Sequence, residues 1–265
     1  MPEQSIVVLN QHIDEEDAVY RMMVGEAVGY VMMPANLFDE DTMCRPYLLI
    51  PRLPRLPPGP WTRVQISRKS QHGPLEVNAT NDPLPAVEST WHQQRIDVLG
   101  LPKIKDYRSN VYEVVYQGEP AIAKIAAFDW DLQRIDRETW AYSVLDRYQR
   151  QNSQSCRIAA RFLGHLTEND RVMGILLEKL EGQYASVGRL EACEEALRSF
   201  HKMGLVHGDV NRYNFIVAKN SGRVKLVDFE HAENFDEGKA HKEIESLASE
   251  LSEQSGRGGS TEYAA

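Results

Sequence analysis

The sequence has little of what marks several protein classes. It holds only three cysteines, Cys44, Cys156 and Cys193, an odd and widely spaced set. That excludes a disulfide-stapled scaffold and a thiolate metal cluster, and it fits reduced thiols in a cytosol-like compartment. No apolar run approaches the ~20 residues needed to cross a bilayer. The opening MPEQSIVVLNQHIDEED lacks a basic stretch followed by an apolar core, so no secretory signal is expected. Positive charge is in deficit: 30 Lys and Arg against 39 Asp and Glu give a formal charge of -9. A partner held by bulk positive charge, nucleic acid above all, is not expected. These absences predict a cytoplasmic or nuclear protein, not secreted, with no membrane span and no internal repeat.

What is present is ordinary in bulk. The 265 residues are 42% hydrophobic and 26% charged, enough for one large or two small domains. Within residues 1–50, EDAVYRMMVGEAVGYVMM suggests a short helix around Val19 to Val24 and a strand around Tyr30 to Met33. PRLPRLPPGP (51–60) has five prolines and reads as a stiff extended connector or brace, or else as a ligand for a proline-recognition module. WTRVQISR and PLEV suggest a hairpin. Asn78-Ala79-Thr80 has the form of a glycosylation acceptor and reads as a surface loop.

A more regular region starts near Gln94. RIDVLGL, VYEVVYQ and AIAKIA read as three strands of an antiparallel meander, with Lys124 in the third. A helix is predicted from Asp131 to about Gln149, through Leu132, Ile135, Trp140, Val144 and Leu145, with Asp129 or Asp131 as its cap. RVMGILLEKL reads as a strand. Leu190, Cys193, Ala196, Leu197 and Phe200 mark an amphipathic helix stopped by Gly204. NFIVA and VKLVDF are strands joined by a turn at Lys219 to Gly222. A charged helix near Gly238 to Leu251 precedes a tail, 253–265, expected to be disordered.

The chemistry concentrates in HGDVNRYNFIVAKNSGRVKLVDFE. Asp209, Asn214 and Asp228 bear hard oxygens of the kind Mg²⁺ prefers. If Phe215–Val217 and Val224–Val227 pair, Asn214 and Asp228 meet at one end. Asp209 then reaches the same place on a loop, where a carboxylate can orient a hydroxyl and take its proton. A lone Asp beside a strand is ordinarily a cap or turn residue; the set of three points to an ion-binding or phosphoryl-transfer site.

HGDVNRYNFIV followed by VKLVDFE resembles the catalytic loop and metal-binding motif of the protein-kinase-like superfamily. The HGD form and DFE ending are most similar to aminoglycoside and choline phosphotransferases and to uncharacterised fungal kinase-like proteins. Gly208 stands where protein kinases have Arg in H-R-D, and Glu230 where they have the Gly of D-F-G. The resemblance covers about residues 94 to 250. It implies an α+β, bilobal fold: an antiparallel-sheet N-lobe to the hinge (94–179) and a reduced, mainly helical C-lobe (180–252), after an N-terminal extension (1–93). It implies ATP and Mg²⁺ as ligands. Asp209 would be the base or hydroxyl-positioning group, Asn214 and Asp228 the metal ligands, and His207 a structural support. Lys124 would steady the phosphates with Glu138 behind it, although helix phase alone does not separate Glu138 from Asp136. Arg212 would neutralise the transferring phosphoryl or face solvent. Backbone groups near Glu178 and Leu180 would meet the adenine edge, with Gly182 giving room to turn.

Two departures stand out. LGLPKIKDYRSNVYEV replaces the G-x-G-x-x-G loop, with Gly100 its only glycine. Backbone N–H groups from Lys105 to Ser109, with Lys103 or Lys105 for charge, would have to serve instead. Only 35 residues follow Glu230, so the acceptor platform is expected to be reduced, or to be built partly from residues 1–90. The expectation is an ATP-Mg²⁺ phosphotransferase acting on a hydroxyl, with a small-molecule acceptor slightly favoured over protein. The alternative is a catalytically weak or inactive kinase-like nucleotide-binding regulator or interaction scaffold. Residues 1–90 would cover the cleft, pack behind the sheet or bind a protein partner.

Overall fold

The structure, a computed structural model, describes residues 5–70, 73–152 and 156–256. It is a mixed α+β chain that divides into two compact units, residues 1–85 and 86–265.

The first unit is built on a five-stranded sheet in the order β1-β2-β3-β4-β5. Its strands are β1 (Ile6–Ile13), β2 (Asp17–Val24), β3 (Ala27–Pro34), β4 (Arg63–Arg68) and β5 (Leu75–Thr80), with helices α1 (Glu40–Cys44) and α2 (Pro46–Leu49) between β3 and β4. The helix expected at Val19 to Val24 is instead strand β2. Its fully buried residues Ala18, Tyr20 and Met22 alternate, the period of a strand. Gly25, at φ 65°, turns it into β3. The WTRVQISR–PLEV hairpin is present as β4 and β5, and Asn78 lies in that strand rather than in a loop. The proline-rich stretch is not a connector between units. It runs inside this one, where Leu56 is buried in the core and the Trp61 indole N–H donates to Pro57 O at 3.2 Å.

The second unit carries a six-stranded sheet in the order β6-β10-β11-β9-β8-β7. These are β6 (Arg95–Asp97), β7 (Lys103–Arg108), β8 (Val111–Tyr116), β9 (Glu119–Ile125), β10 (Phe162–Glu168) and β11 (Arg171–Glu178), with α3 (Leu132–Gln151) between β9 and β10. The meander exists, but its first member is β7. RIDVLGL yields only the short β6, which pairs parallel to β10 at the far edge of the sheet. Residues 86–93 belong here too: Val87 N–H donates to Val172 O, and Trp91 packs on Phe162.

Beyond β11 come β12 (Gly182–Tyr184), α4 (Leu190–Lys202), β13 (Leu205–Val206), β14 (Phe215–Ala218), β15 (Val224–Leu226), β16 (Glu233–Asn234) and α5 (Glu237–Ser252). Strands β12, β14 and β15 form a small antiparallel sheet, and β13 pairs with β16. Helix α4 buries Cys193, Ala196, Leu197 and Phe200, and Gly204 follows it at φ 91°, the left-handed stop a glycine allows. Gly182 does not make a turn. It lies in β12, where a Cβ would stand 2.3 Å from Val217 O, so its role is close strand approach. Of the tail expected to be disordered, 253–256 is ordered against the unit, with Arg212 Nη1 donating to Glu253 O at 3.2 Å; residues 257–265 lie outside the described residues. Among the described residues no helix is long and apolar enough to cross a membrane.

Candidate active site

Lys124 sits near the end of β9, between Ala123 and Ile125, whose side chains are buried in the core. Strand alternation turns the lysine to the opposite face, with Ile122. There its ammonium donates to Glu138 Oε1 and Oε2 at 2.9 and 2.8 Å and to Asp228 Oδ1 at 2.6 Å. An ammonium has three hydrogens, and three carboxylate oxygens receive them. Helix α3 supplies Glu138 from its buried stripe of Ile135, Glu138, Ala141, Tyr142 and Leu145. Asp136 is excluded as the partner. Its carboxylate accepts the backbone N–H groups of Glu88 and Ser89 and the Ser89 hydroxyl.

Two carboxylates share one ammonium, and their acidities separate. Burial drives the Glu138 carboxyl up, to about 7, against the pull of Lys124. For Asp228 burial also resists ionisation, but the charge and hydrogen bond of Lys124, helped by Arg108, take it down to about 2. Burial opposes the charge on Lys124 as well, and the two carboxylates more than offset it, so the lysine stays protonated. Asp228 holds this position at φ 67°, a left-handed backbone uncommon outside glycine and more often tolerated by Asp. Such a conformation costs on the order of 1 kcal/mol and persists because its surroundings fix it.

The polar stretch before β14 is internally bonded. Asn214 Nδ2 donates to Asp209 O at 2.8 Å and to Asp209 Oδ2 at 3.1 Å, and Asn211 Nδ2 donates to the same Oδ2 at 3.0 Å. Asn211 Oδ1 also accepts the Tyr213 N–H, capping a short turn. Strands β14 and β15 pair with Phe215 opposite Leu226, and Asn214 O accepts the Val227 N–H at 3.1 Å. Asp209, Asn214 and the residue before Asp228 thus form one connected group. His207 is buried, and its Nε2–H donates to Val227 O at 3.0 Å, a supporting position. Gly208 is obligatory twice over: φ is 78°, and a Cβ would lie 2.1 Å from His231 O. Its N–H donates to Glu243 Oε1 at 2.7 Å, while Glu243 Oε2 meets His201 Nε2 at 2.8 Å.

A cavity of about 340 Å³ opens beside Lys124 and Asp228. Ile122 and Leu177 line it from the sheet side, and Ile216 and Val227 from the β14–β15 side. Of the expected residues, Lys124, Ser109, Glu178, Leu180, Asn214 and Asp228 reach its wall. Three do not. Asp209 joins the cavity only through Asn214. Lys105 stands on exposed β7 with its Nζ 5.2 Å from the Tyr107 ring centre. Arg212 turns to the Glu253 carbonyl and the Tyr213 ring. The backbone N–H of Glu178 is already donated to Arg161 O, so the free edge expected there falls to Leu180 and its neighbours.

Sequence reasoning missed three residues. Glu243 holds the loop at Gly208, and its signal was a carboxylate on the otherwise apolar stripe of Ala240, Leu247 and Leu251. Arg108 brings Nη1 to 3.7 Å from Asp228 Oδ2, and Arg134 lines the same cavity from the first turn of α3. Neither arginine had a sequence signal beyond its charge. Among the described residues no group of three or more His, Cys, Asp or Glu is arranged to hold a metal, so any cation here would rest on Asn214 and Asp228 with its remaining ligands from elsewhere. No family model and no curated protein matches the chain.

Proposed function

We propose that residues 86–256 form a protein-kinase-like, bilobal unit with a reduced C-lobe, and that it is an ATP-Mg²⁺-dependent phosphotransferase acting on a hydroxyl. The observation that carries this is the meeting of Lys124, Glu138 and Asp228 at a cavity that Asn214 also lines. The apolar walls from Ile122, Leu177, Ile216 and Val227 suit a planar base. Lys124 lies where phosphate oxygens would enter, oriented by Glu138.

The donor set fits Mg²⁺, which commonly takes one or two protein oxygens and completes its shell with phosphate and water. Asn214 directs both of its Nδ2 hydrogen bonds to Asp209, which leaves Oδ1 as the side chain's acceptor. Asp228 is ionised and offers Oδ2 beside the oxygen that Lys124 holds. When bound, the ion would neutralise charge between phosphoryl oxygens. Asp209 is fixed through Oδ2 by Asn211 and Asn214, which leaves Oδ1 to orient an acceptor hydroxyl and take its proton. The ligand is ATP, the acceptor a small molecule in preference to protein.

A second reading, a nucleotide-binding regulator with weak or no turnover, has its own support. The three hydrogens of Lys124 are already satisfied by protein, so the site is not preformed for an anion. Asp209→Asn separates the readings. For an enzyme, this change abolishes phosphoryl transfer to a screened hydroxyl acceptor and leaves nucleotide binding near wild type. Transfer that survives the substitution removes Asp209 from the mechanism. Nucleotide binding by the wild type with no transfer to any acceptor favours the regulator.

A further inference from the structure

We infer that Arg108 and Arg134 form a side-chain clamp for a di- or triphosphate chain, doing what a glycine-rich backbone loop does in other phosphate sites. The inference rests on the nucleotide-binding reading above and adds the residues that recognise the phosphate chain and the ligand class they select.

The turn between β7 and β8 is Arg108-Ser109-Asn110-Val111, without glycine, and Arg108 pairs with Val111 across it. A glycine loop works because backbone N–H groups approach phosphate with no Cβ in the way. Here every turn residue carries a side chain, which hinders close approach of the turn's backbone N–H groups to phosphate. Recognition of phosphate at this turn therefore falls to side chains. Arg108 is well placed: it lines the cavity, and its Nη1 already reaches within 3.7 Å of Asp228 Oδ2.

Charge balance points the same way. Lys124 is the deepest cation, but Glu138 and Asp228 together outweigh it. Lys179, also in the wall, is paired with Glu113 at 2.7 Å. A phosphate chain entering beside this group meets net negative charge, which further side-chain cations would offset together with a bound Mg²⁺. Arg134 supplies one. It lines the cavity, is exposed, and among the described residues makes no hydrogen bond or ion pair. Two arginines from different elements, β7 and α3, thus line one cavity, and guanidinium is suited to bidentate contact with phosphate oxygens. A chain of two or three phosphates offers oxygens to Lys124 and both arginines together, more than a single phosphate does.

The test uses the full chain, with ATP, AMP and inorganic tripolyphosphate as probes, titrated calorimetrically at two salt concentrations. Wild type is expected to bind ATP and tripolyphosphate at least tenfold more tightly than AMP. Arg108→Ala and Arg134→Ala are each expected to weaken ATP and tripolyphosphate binding about tenfold or more, leave AMP binding unchanged and flatten the salt dependence. Both side chains are exposed, so the variants are expected to melt as wild type does. Variants that bind ATP and tripolyphosphate as tightly as wild type overturn the clamp and leave the phosphotransferase reading standing. A wild type that binds neither ATP nor tripolyphosphate overturns both.

Discussion

At the scale of single residues, the account turns on a lysine shared by two carboxylates. Removing Lys124 leaves Glu138 and Asp228 facing each other, and breaking a buried pair by deleting one partner costs roughly 3–5 kcal/mol. Lys124→Met is therefore expected to lower stability by about that much at pH 8, measured by urea unfolding. The orphaned Glu138 carboxyl, already raised to about 7 by burial, then relieves itself by taking a proton. A raised carboxyl binds its proton more tightly in the folded state, so the penalty should shrink as pH falls from 8 to 5. Adding Glu138→Gln should recover much of the loss. A pH-independent penalty would show that the two carboxylates do not compete for one charge. The same residues show what the sequence could tell. The spacing of Asp209, Asn214 and Asp228 was legible because it is covalent. Arg108 was not, because a charged residue on a short turn carries no sign of whether it points inward.

At the scale of elements, helix stripes explain both a success and two misses. The amphipathic pattern of α4 was read residue for residue, since its apolar positions repeat cleanly up to Gly204. In α3 the expected Ile135 and Leu145 are buried and Leu132, Trp140 and Val144 pack partly buried against the core, but the buried stripe also takes in Glu138, Ala141 and Tyr142. In α5 it runs Ala240, Glu243, Leu247 and Leu251. Each contains one glutamate, and each glutamate faces a polar loop or cation in the site. A hydrophobic count passes over such a residue, although a carboxylate at a stripe position is the mark of a buried partner. Burial resists ionisation of Glu243, but His201 and the backbone N–H groups at Gly208 and His207 together hold its carboxyl below the usual range. A depressed carboxyl contributes stability that is present above its unfolded value and lost as pH falls through the folded one. The stability gap between wild type and Glu243→Gln should therefore close as pH falls below about 4.5. A gap that persists undiminished in acid would mean that the ionised carboxylate does not anchor α5 to the loop. Edge strands were the poorest reading: RIDVLGL looked like part of the meander because nothing in an apolar run names its neighbour.

At the scale of the whole molecule, the chain separates at residues 85 and 86 into units with their own apolar cores, one around Tyr20, Met22 and Ile66, the other around Phe200, Phe215 and Phe229. The mixed α+β class was legible from the order of periodic segments. The helix expected in the first unit was not found, since short apolar runs suit strand and helix alike. Every residue placed in the candidate site lies in the second unit. A chain of residues 86–265 is accordingly expected to unfold cooperatively on its own and to bind nucleotide within about threefold of the full chain, by thermal melting and calorimetry. Loss of folding or of binding would assign the first 85 residues a part in the site.

The central claim is that Asp228 and Asn214 complete a cation site on a nucleotide whose phosphates Lys124 steadies. Calorimetric titration of ATP into the full chain, with and without Mg²⁺, beside Asp228→Asn, tests it most directly. We expect binding that Mg²⁺ strengthens at least tenfold, with that enhancement lost in the variant. ATP binding that ignores Mg²⁺, or an enhancement undiminished in Asp228→Asn, would contradict it.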